Sequence, residues 1–140
     1  MFDEYYKWNE QKININSNKG KLFFHEREVW FTSLGLNIGF EQNGKGNNFL
    51  RPVLVLKKFS KDLLWIIPLS TAQKTGKYYY SIKIRNVDNV MLLSQIRLID
   101  SKRLRYKIGD IEKDDFINGI VLIFTEFSQK NNPLRTYFYI

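Results

Sequence analysis

Over residues 2–13, Phe2, Tyr5, Tyr6, Trp8 and Ile13 fall among acids and lysines. The spacing predicts a short amphipathic helix, and polar residues 14–20 predict a linker or turn after it. Val29, Trp30 and Phe31 predict a first strand. Residues 35–50 hold Gly35, Gly39, Gly44 and Gly46 and read as a long loop; in a small domain such a loop is often functional. Strands are expected at 53–59 and 63–69, joined as a hairpin through Ser60-Lys61-Asp62. The unbroken run Val53-Leu54-Val55-Leu56 implies a strand buried on both faces, near the centre of a sheet. Residues 78–84 are aromatic and β-branched, hence strand, and 90–93 with 95–99 give one or two more. Asp110 reads as a helix N-cap, followed by Glu112, Asp114 and Asp115 at the positive helix end. Phe116, Ile120, Ile123, Phe124 and Phe127 then form one helical stripe. Asn131-Asn132-Pro133 ends the helix, and residues 135–140 either add an edge strand or dangle. The pattern describes a small, mostly antiparallel barrel with a C-terminal helix packed on it.

Composition supports one globular domain: 140 residues, 44% hydrophobic and 16% aromatic, supply a real core. No apolar run approaches the roughly 20 residues of a membrane helix. The first residues carry acids rather than the basic-then-apolar order of a signal peptide, so a cytoplasmic protein is expected. Charge adds a location. The net charge is +8, yet residues 1–50 hold six basic and six acidic side chains and residues 106–140 hold four and five. Residues 51–105 hold twelve basic and three acidic, so the whole excess lies in the strand-rich centre. A localised positive field favours a polyanion, most commonly nucleic acid; a lysine-rich solvated surface is the plainer alternative.

Conventional catalytic chemistry is scarce. Cysteine is absent and His25 is the only histidine, which closes the His/Cys zinc route. His25 is a possible general base, but in Phe24-His25-Glu26-Arg27 it reads as a surface residue. No nucleophile elbow is present, and Gly44-Lys45-Gly46 lacks the ending of a phosphate-binding loop. Arginine, lysine, serine, threonine, glutamine and aromatics remain. They suit RNA cleavage by internal attack, because RNA brings its own nucleophile in the 2′-OH. The enzyme aligns that oxygen with phosphorus and neutralises charge on the phosphoryl oxygens, a task for a guanidinium fork. Neither a metal nor another cofactor is expected.

Five short segments occur in a telling order: Glu28-Val29-Trp30-Phe31, Gly39-Phe40-Glu41-Gln42, Arg51-Pro52, Pro68-Leu69-Ser70-Thr71, and Leu93-Ser94-Gln95-Ile96-Arg97 with Ser101-Lys102-Arg103-Leu104. In that order, over residues 26–118, the chain resembles the MazF/PemK/Kid-type toxin endoribonucleases of type II toxin–antitoxin systems, in a PemK-like branch. The resemblance implies an SH3-like barrel of the MazF/CcdB kind, a homodimer, metal-independent cleavage of single-stranded RNA such as mRNA to cyclic phosphate products, and an antitoxin that occludes the site. It divides the chain into an N-terminal extension (1–25), a barrel domain with C-terminal helix (26–130) and a tail (131–140). The family's catalytic arginine falls on Arg51, and its catalytic hydroxyl on Ser70 or, one residue on, Thr71. Departures are the longer loop at 45–50, Phe40 where some members carry His or Ser, and Leu92 and Ser94 where some carry Arg and Asp.

Alone, Arg51 reads as a surface arginine pairing with Glu41; the ordered motifs make it the catalytic candidate. Glu41 and Gln42 fit hydrogen bonding that fixes the loop, Gln95 fits a buried hydrogen-bonding residue, and Arg97 fits a phosphate contact or an ion pair. Lys57, Lys58, Lys74, Lys77 and Arg103 are expected to meet RNA non-specifically. One face of Tyr78-Tyr79-Tyr80 is a candidate base-stacking surface. The competing function is binding without cleavage on the same fold, to RNA or, CcdB-like, to gyrase. A further possibility is that residues 1–20 form a partner-binding arm.

Overall fold

A computed structural model describes residues 2–20 and 22–128. Helix α1 (Phe2–Ser17) leads into a curled antiparallel sheet of β1 (Glu28–Ser33), β2 (Leu50–Lys58), β3 (Leu63–Ser70), β4 (Tyr79–Ile84), β5 (Val87–Leu92), β6 (Arg97–Asp100) and β7 (Leu104–Asp110), and α2 (Lys113–Phe127) follows. The strand order is β4-β5-β3-β2-β1-β7, and β6 pairs with the first half of β3 while β5 pairs with its end. The mostly-strand, curled antiparallel sheet expected from the sequence is therefore present, with one helix before the strands and one after them.

β2 lies between β1 and β3, as its continuous apolar run implies. Its side chains alternate between two cores. Val53 and Val55 join Phe24, Trp30, Leu34, Leu64, Ile66, Ile99 and Leu104 on one side. Leu54 joins Val29, Ile67, Leu69, Ile82, Ile84, Met91, Leu93 and Ile111 on the other, where α2 contributes Phe116, Leu122 and Ile123. At roughly 25 cal/mol per Å² of apolar surface removed from water, these two layers carry most of the favourable burial. Leu56 forms a bulge, since Val55 faces Ile66 and Lys57 faces Trp65; an extra residue of this kind increases the local twist that curls a sheet.

Several elements differ from expectation. α1 runs to Ser17 instead of ending near 13, because Ile15, one heptad after Trp8, is buried against the same surface. Asp110 is no N-cap: it ends β7, and α2 begins at Lys113 after Glu112, with no side-chain cap bond. β7 goes beyond the elements expected; the alternation from Leu104 to Ile108 is its signal, and it pairs with β1. The stripe on α2 is also rotated. Phe116, Gly119, Leu122 and Ile123 face the sheet, and a Cβ at Gly119 would lie 2.7 Å from Met91 Cε. Phe124 and Phe127, expected inside, are exposed; Phe124, one residue beyond Ile123, is a 100° turn away, while Phe127 stays near the packed face but falls on the last residue of the helix. The expected helix end at 131–133 and the 135–140 strand lie outside the described residues.

Candidate active site

The site forms where β2 begins and β3 ends. Register pairs Val53 with Pro68 and Leu54 with Ile67. Carried two residues further, it sets Arg51 opposite Ser70, with both side chains on one face of the sheet. Pro52 and Pro68 stiffen these strand ends by fixing their own φ near −65°. On its other side Arg51 pairs with Thr32 of β1.

Two carbonyls hold the Arg51 guanidinium. Its Nε donates to the Asn43 oxygen and its Nη1 to the Leu69 oxygen at 3.0 Å. Neither partner is a carboxylate, and partial burial pushes the guanidinium pKa down; an arginine still stays protonated at neutral pH. The remaining N–H groups of the fork have no acceptor among the described residues. The Ser70 Oγ accepts from the Ala72 N–H at 3.2 Å, which orients its own O–H away from that amide. Thr71, the alternative candidate, is exposed in the following loop.

A cleft of about 420 Å³ is lined by Leu34, Asn37, Glu41, Gln42, Pro68, Ser94, Gln95, Ile96 and Arg97; neither Arg51 nor Ser70 lines it, and Pro68, two residues before Ser70, and Gln42, next to Asn43, connect it to them. Its rim is a hydrogen-bonded turn. The Glu41 carboxylate accepts from the Ile38 N–H at 2.9 Å and the Glu41 N–H donates to the Ile38 oxygen. Gln95 spans to the same loop: its Oε1 accepts from the Gln42 N–H and its Nε2 donates to the Phe40 oxygen. Arg97 donates to Asn37 Oδ1 at 3.3 Å, while the pull of Glu41 partly offsets the pKa lowering caused by its burial. Arg103 donates to the Ser33 oxygen; burial first and repulsion from Arg97 second lower its pKa, against attraction from Asp100. Arg51, Arg97 and Arg103 thus spend their hydrogen bonds on backbone and amide oxygens, which leaves their charge largely uncancelled.

Asn37 and Asn43 hold the loop together and were not among the expected site residues. Asn43 Oδ1 accepts from the Asn37 N–H at 2.6 Å, and Asn37 Nδ2 donates to the Gln42 oxygen at 2.7 Å. Their only signal in the sequence is that asparagine favours turns through such bonds.

The expected lysines separate into two groups. Lys74 and Lys77 lie in the loop after Ser70, with their ammonium groups 5.8 Å over Tyr79 and 5.1 Å over Tyr78, and Lys77 also reaches Glu126. Lys57 and Lys58 lie at the far end of β2, about 20 Å from Arg51 at ordinary strand rise. There Lys57 pairs with Glu26 and Lys58 donates to the Phe24 oxygen. His25 is at that far end too, 77% exposed beside Glu28. Tyr80 is engaged by α2, its hydroxyl donating to Asp115. Among the described residues there is no group of three or more His, Asp or Glu side chains placed to hold a metal, and no helix long and apolar enough to cross a membrane.

Similarity to known proteins covers the same region. The family model described as "PemK-like, MazF-like toxin of type II toxin-antitoxin system" matches residues 26–118. No curated protein matches the sequence. Among solved structures, MazF from Deinococcus radiodurans superposes with a TM-score of 0.64 at 17% identity, over 77% of this chain and 99% of that one. The Mycobacterium tuberculosis toxin MazF-mt6 gives 0.57 at 15% identity, over 74% and 99%. An endoribonuclease in complex with its cognate antitoxin from a mycobacterial species gives 0.55 at 11% identity, over 79% and 100%. At such identities the superpositions establish the fold, while the family model spans two thirds of the chain and includes every strand. The chain therefore belongs to the PemK-like, MazF-like toxins of type II toxin–antitoxin systems.

Proposed function

We propose that this protein is a metal-independent endoribonuclease, the toxin of its pair, which cuts single-stranded RNA in the cytoplasm at the Arg51–Ser70 centre. The observation that carries the reading is a half-buried guanidinium tied to two carbonyls and to no carboxylate, at the strand position that the β2–β3 register, carried on, sets opposite Ser70. In this reading the RNA 2′-oxygen attacks the adjacent phosphorus. The bond from phosphorus to the 5′-oxygen breaks, and a 2′,3′-cyclic phosphate and a 5′-hydroxyl result. Arg51 donates to the non-bridging oxygens as their charge grows, and the Ser70 hydroxyl positions the attacking oxygen. The 2′-proton passes to water, and the 5′-oxygen takes one from water.

The cleft formed by Asn37, Glu41, Gln42, Gln95 and Arg97 offers donors and acceptors for base edges. Arg103, which donates to the Leu34 oxygen at its edge, and Lys74 and Lys77 in the loop after Ser70 supply positive charge for flanking phosphates. The complex of a similar endoribonuclease with its cognate antitoxin supports a protein antitoxin as partner, and in this reading the antitoxin covers the cleft. The exposed apolar face of α2, with Ile117, Val121 and Phe124, supports pairing with a second copy of the chain.

The test is incubation of the purified protein with single-stranded RNA in EDTA beside Arg51→Ala. Cleavage by the native protein alone is expected; an intact RNA, or equal cleavage by both, refutes the reading. A second reading, RNA binding without cleavage, draws on the cleft's titratable content: Glu41 is its only carboxylate, and it already accepts the Ile38 amide. That reading expects steeply salt-dependent binding with no product.

A further inference from the structure

Helix α1 lies outside the family match, yet it touches the loop that holds Arg51 at two points. We infer that α1 is a brace for the catalytic arginine and that Trp8 is its principal positioning residue; the inference rests on the reading of Arg51 given above.

The first route starts at the indole of Trp8, which is buried flat against Gly35. A Cβ at Gly35 would sit 2.1 Å from the ring, and the residue's φ of +85° also favours glycine. The same indole packs on Phe49, with ring centroids 5.3 Å apart. Phe49 adopts φ +52°, a left-handed conformation that is costly for an aromatic residue and needs surrounding structure to hold it. Its carbonyl accepts from the N–H groups of Leu34 and Gly35. Gly44 is wedged into this junction: its N–H donates to the Gly35 oxygen at 2.8 Å, and a Cβ there would lie 1.7 Å from the Phe49 oxygen. The residue before Gly44 is Asn43, whose carbonyl receives Arg51 Nε.

The second route starts at Tyr5, whose hydroxyl donates to the Asn37 oxygen at 3.2 Å. The Asn37 N–H donates to Asn43 Oδ1. Both routes converge on Asn43, so α1 sets where its carbonyl stands and therefore which edge of the Arg51 fork faces the substrate. Displacement of a catalytic group by about 1 Å costs up to about 100-fold in rate. Loosening this brace thus lowers turnover without removing any group that touches RNA.

The experiment measures cleavage kinetics, thermal unfolding and the NMR signal of the Arg51 Nε–H in Trp8→Ala, Trp8→Phe and Tyr5→Phe. Trp8→Ala is expected to lower kcat by about 10-fold with KM within about twofold. Its Arg51 Nε–H should exchange faster with water at a temperature where the protein is still folded, and Trp8→Phe should restore most of both. Tyr5→Phe removes one exposed hydrogen bond and is expected to move the Nε–H signal with little change in Tm. A Trp8→Ala protein with lower Tm but native kcat and native Nε–H exchange overturns the inference. Should Trp8→Ala fail to fold, an unmoved Nε–H signal in Tyr5→Phe overturns it instead. A native protein that leaves RNA intact refutes the proposed function, while the Nε–H arm still decides the coupling.

Discussion

Arg51 donates through Nη1 to the carbonyl of Leu69 at 3.0 Å, so the cation that opens β2 is tied to the peptide leading into Ser70. A lysine reaches one oxygen at a time and cannot hold two carbonyls while presenting a fork to phosphate. Arg51→Lys is therefore expected to keep the positive charge and still lose at least about 100-fold in single-turnover cleavage rate. Near-native cleavage by this variant would show that charge alone suffices.

Ser70 and Thr71 are separable. Only Ser70 falls opposite Arg51 by register. Ser70→Ala is expected to lower kcat by about 10- to 100-fold, and Thr71→Ala by less than about threefold, since an exposed loop side chain contributes little. The reverse ranking, measured on one RNA oligonucleotide, would move the hydroxyl role to Thr71.

Gly44→Ala tests the junction that carries Asn43. The new Cβ would lie 1.7 Å from the Phe49 oxygen, a backbone atom that cannot swing aside. Equilibrium unfolding is expected to show a loss of about 2–4 kcal/mol, with cleavage reduced further than stability at a temperature where the protein remains folded.

Salt dependence distinguishes the two lysine groups. Replacing Lys74 or Lys77 with glutamine is expected to flatten the log–log salt slope of RNA binding by about 0.7 each. The same change at Lys57, which already pairs with Glu26 about 20 Å from Arg51 along β2, is expected to leave the slope unchanged.

One ion pair predicts a pH effect on folding. Lys107 donates to the buried Glu28 carboxylate at 2.9 Å, and this bond above all raises the lysine pKa above 10.5, against desolvation and with a smaller contribution from Asp110. A raised folded pKa stabilises the charged form, so the contribution is full below 10.5 and fades as pH rises through the raised value. The difference in Tm between the native protein and Lys107→Met should be constant around neutral pH and shrink in alkali.

The centre of the sheet was legible because burial leaves a plain record. Val53, Leu54 and Val55 form a β-branched-rich apolar run that fits a strand buried on both faces, and once β2 and β3 are paired, the register carried on sets Arg51 opposite Ser70. The loop between β1 and β2 left no such record. Asn37 and Asn43 act through hydrogen bonds at spacings set by local backbone turns, which have no period. β7 was hidden because Leu104 is its only buried residue and the alternation after it is faint, Tyr106 being exposed and Ile108 only partly covered. The misassigned face of α2 reflects a helix that is apolar on more than one side: Phe124 matches the stripe by composition, but Gly119, invisible to a hydrophobic pattern, decides which side approaches Met91.

In the proposed reaction the RNA supplies its own nucleophile at the Arg51–Ser70 centre. The most direct measurement uses two oligonucleotides cut at one mapped position, one all-ribose and one with a single 2′-deoxy sugar on the 5′ side of that position, both in EDTA. The all-ribose strand is expected to be cleaved to a 2′,3′-cyclic phosphate, and the substituted strand to stay intact at that position. Cleavage of both strands, or a linear phosphate product from the first, would contradict that reaction.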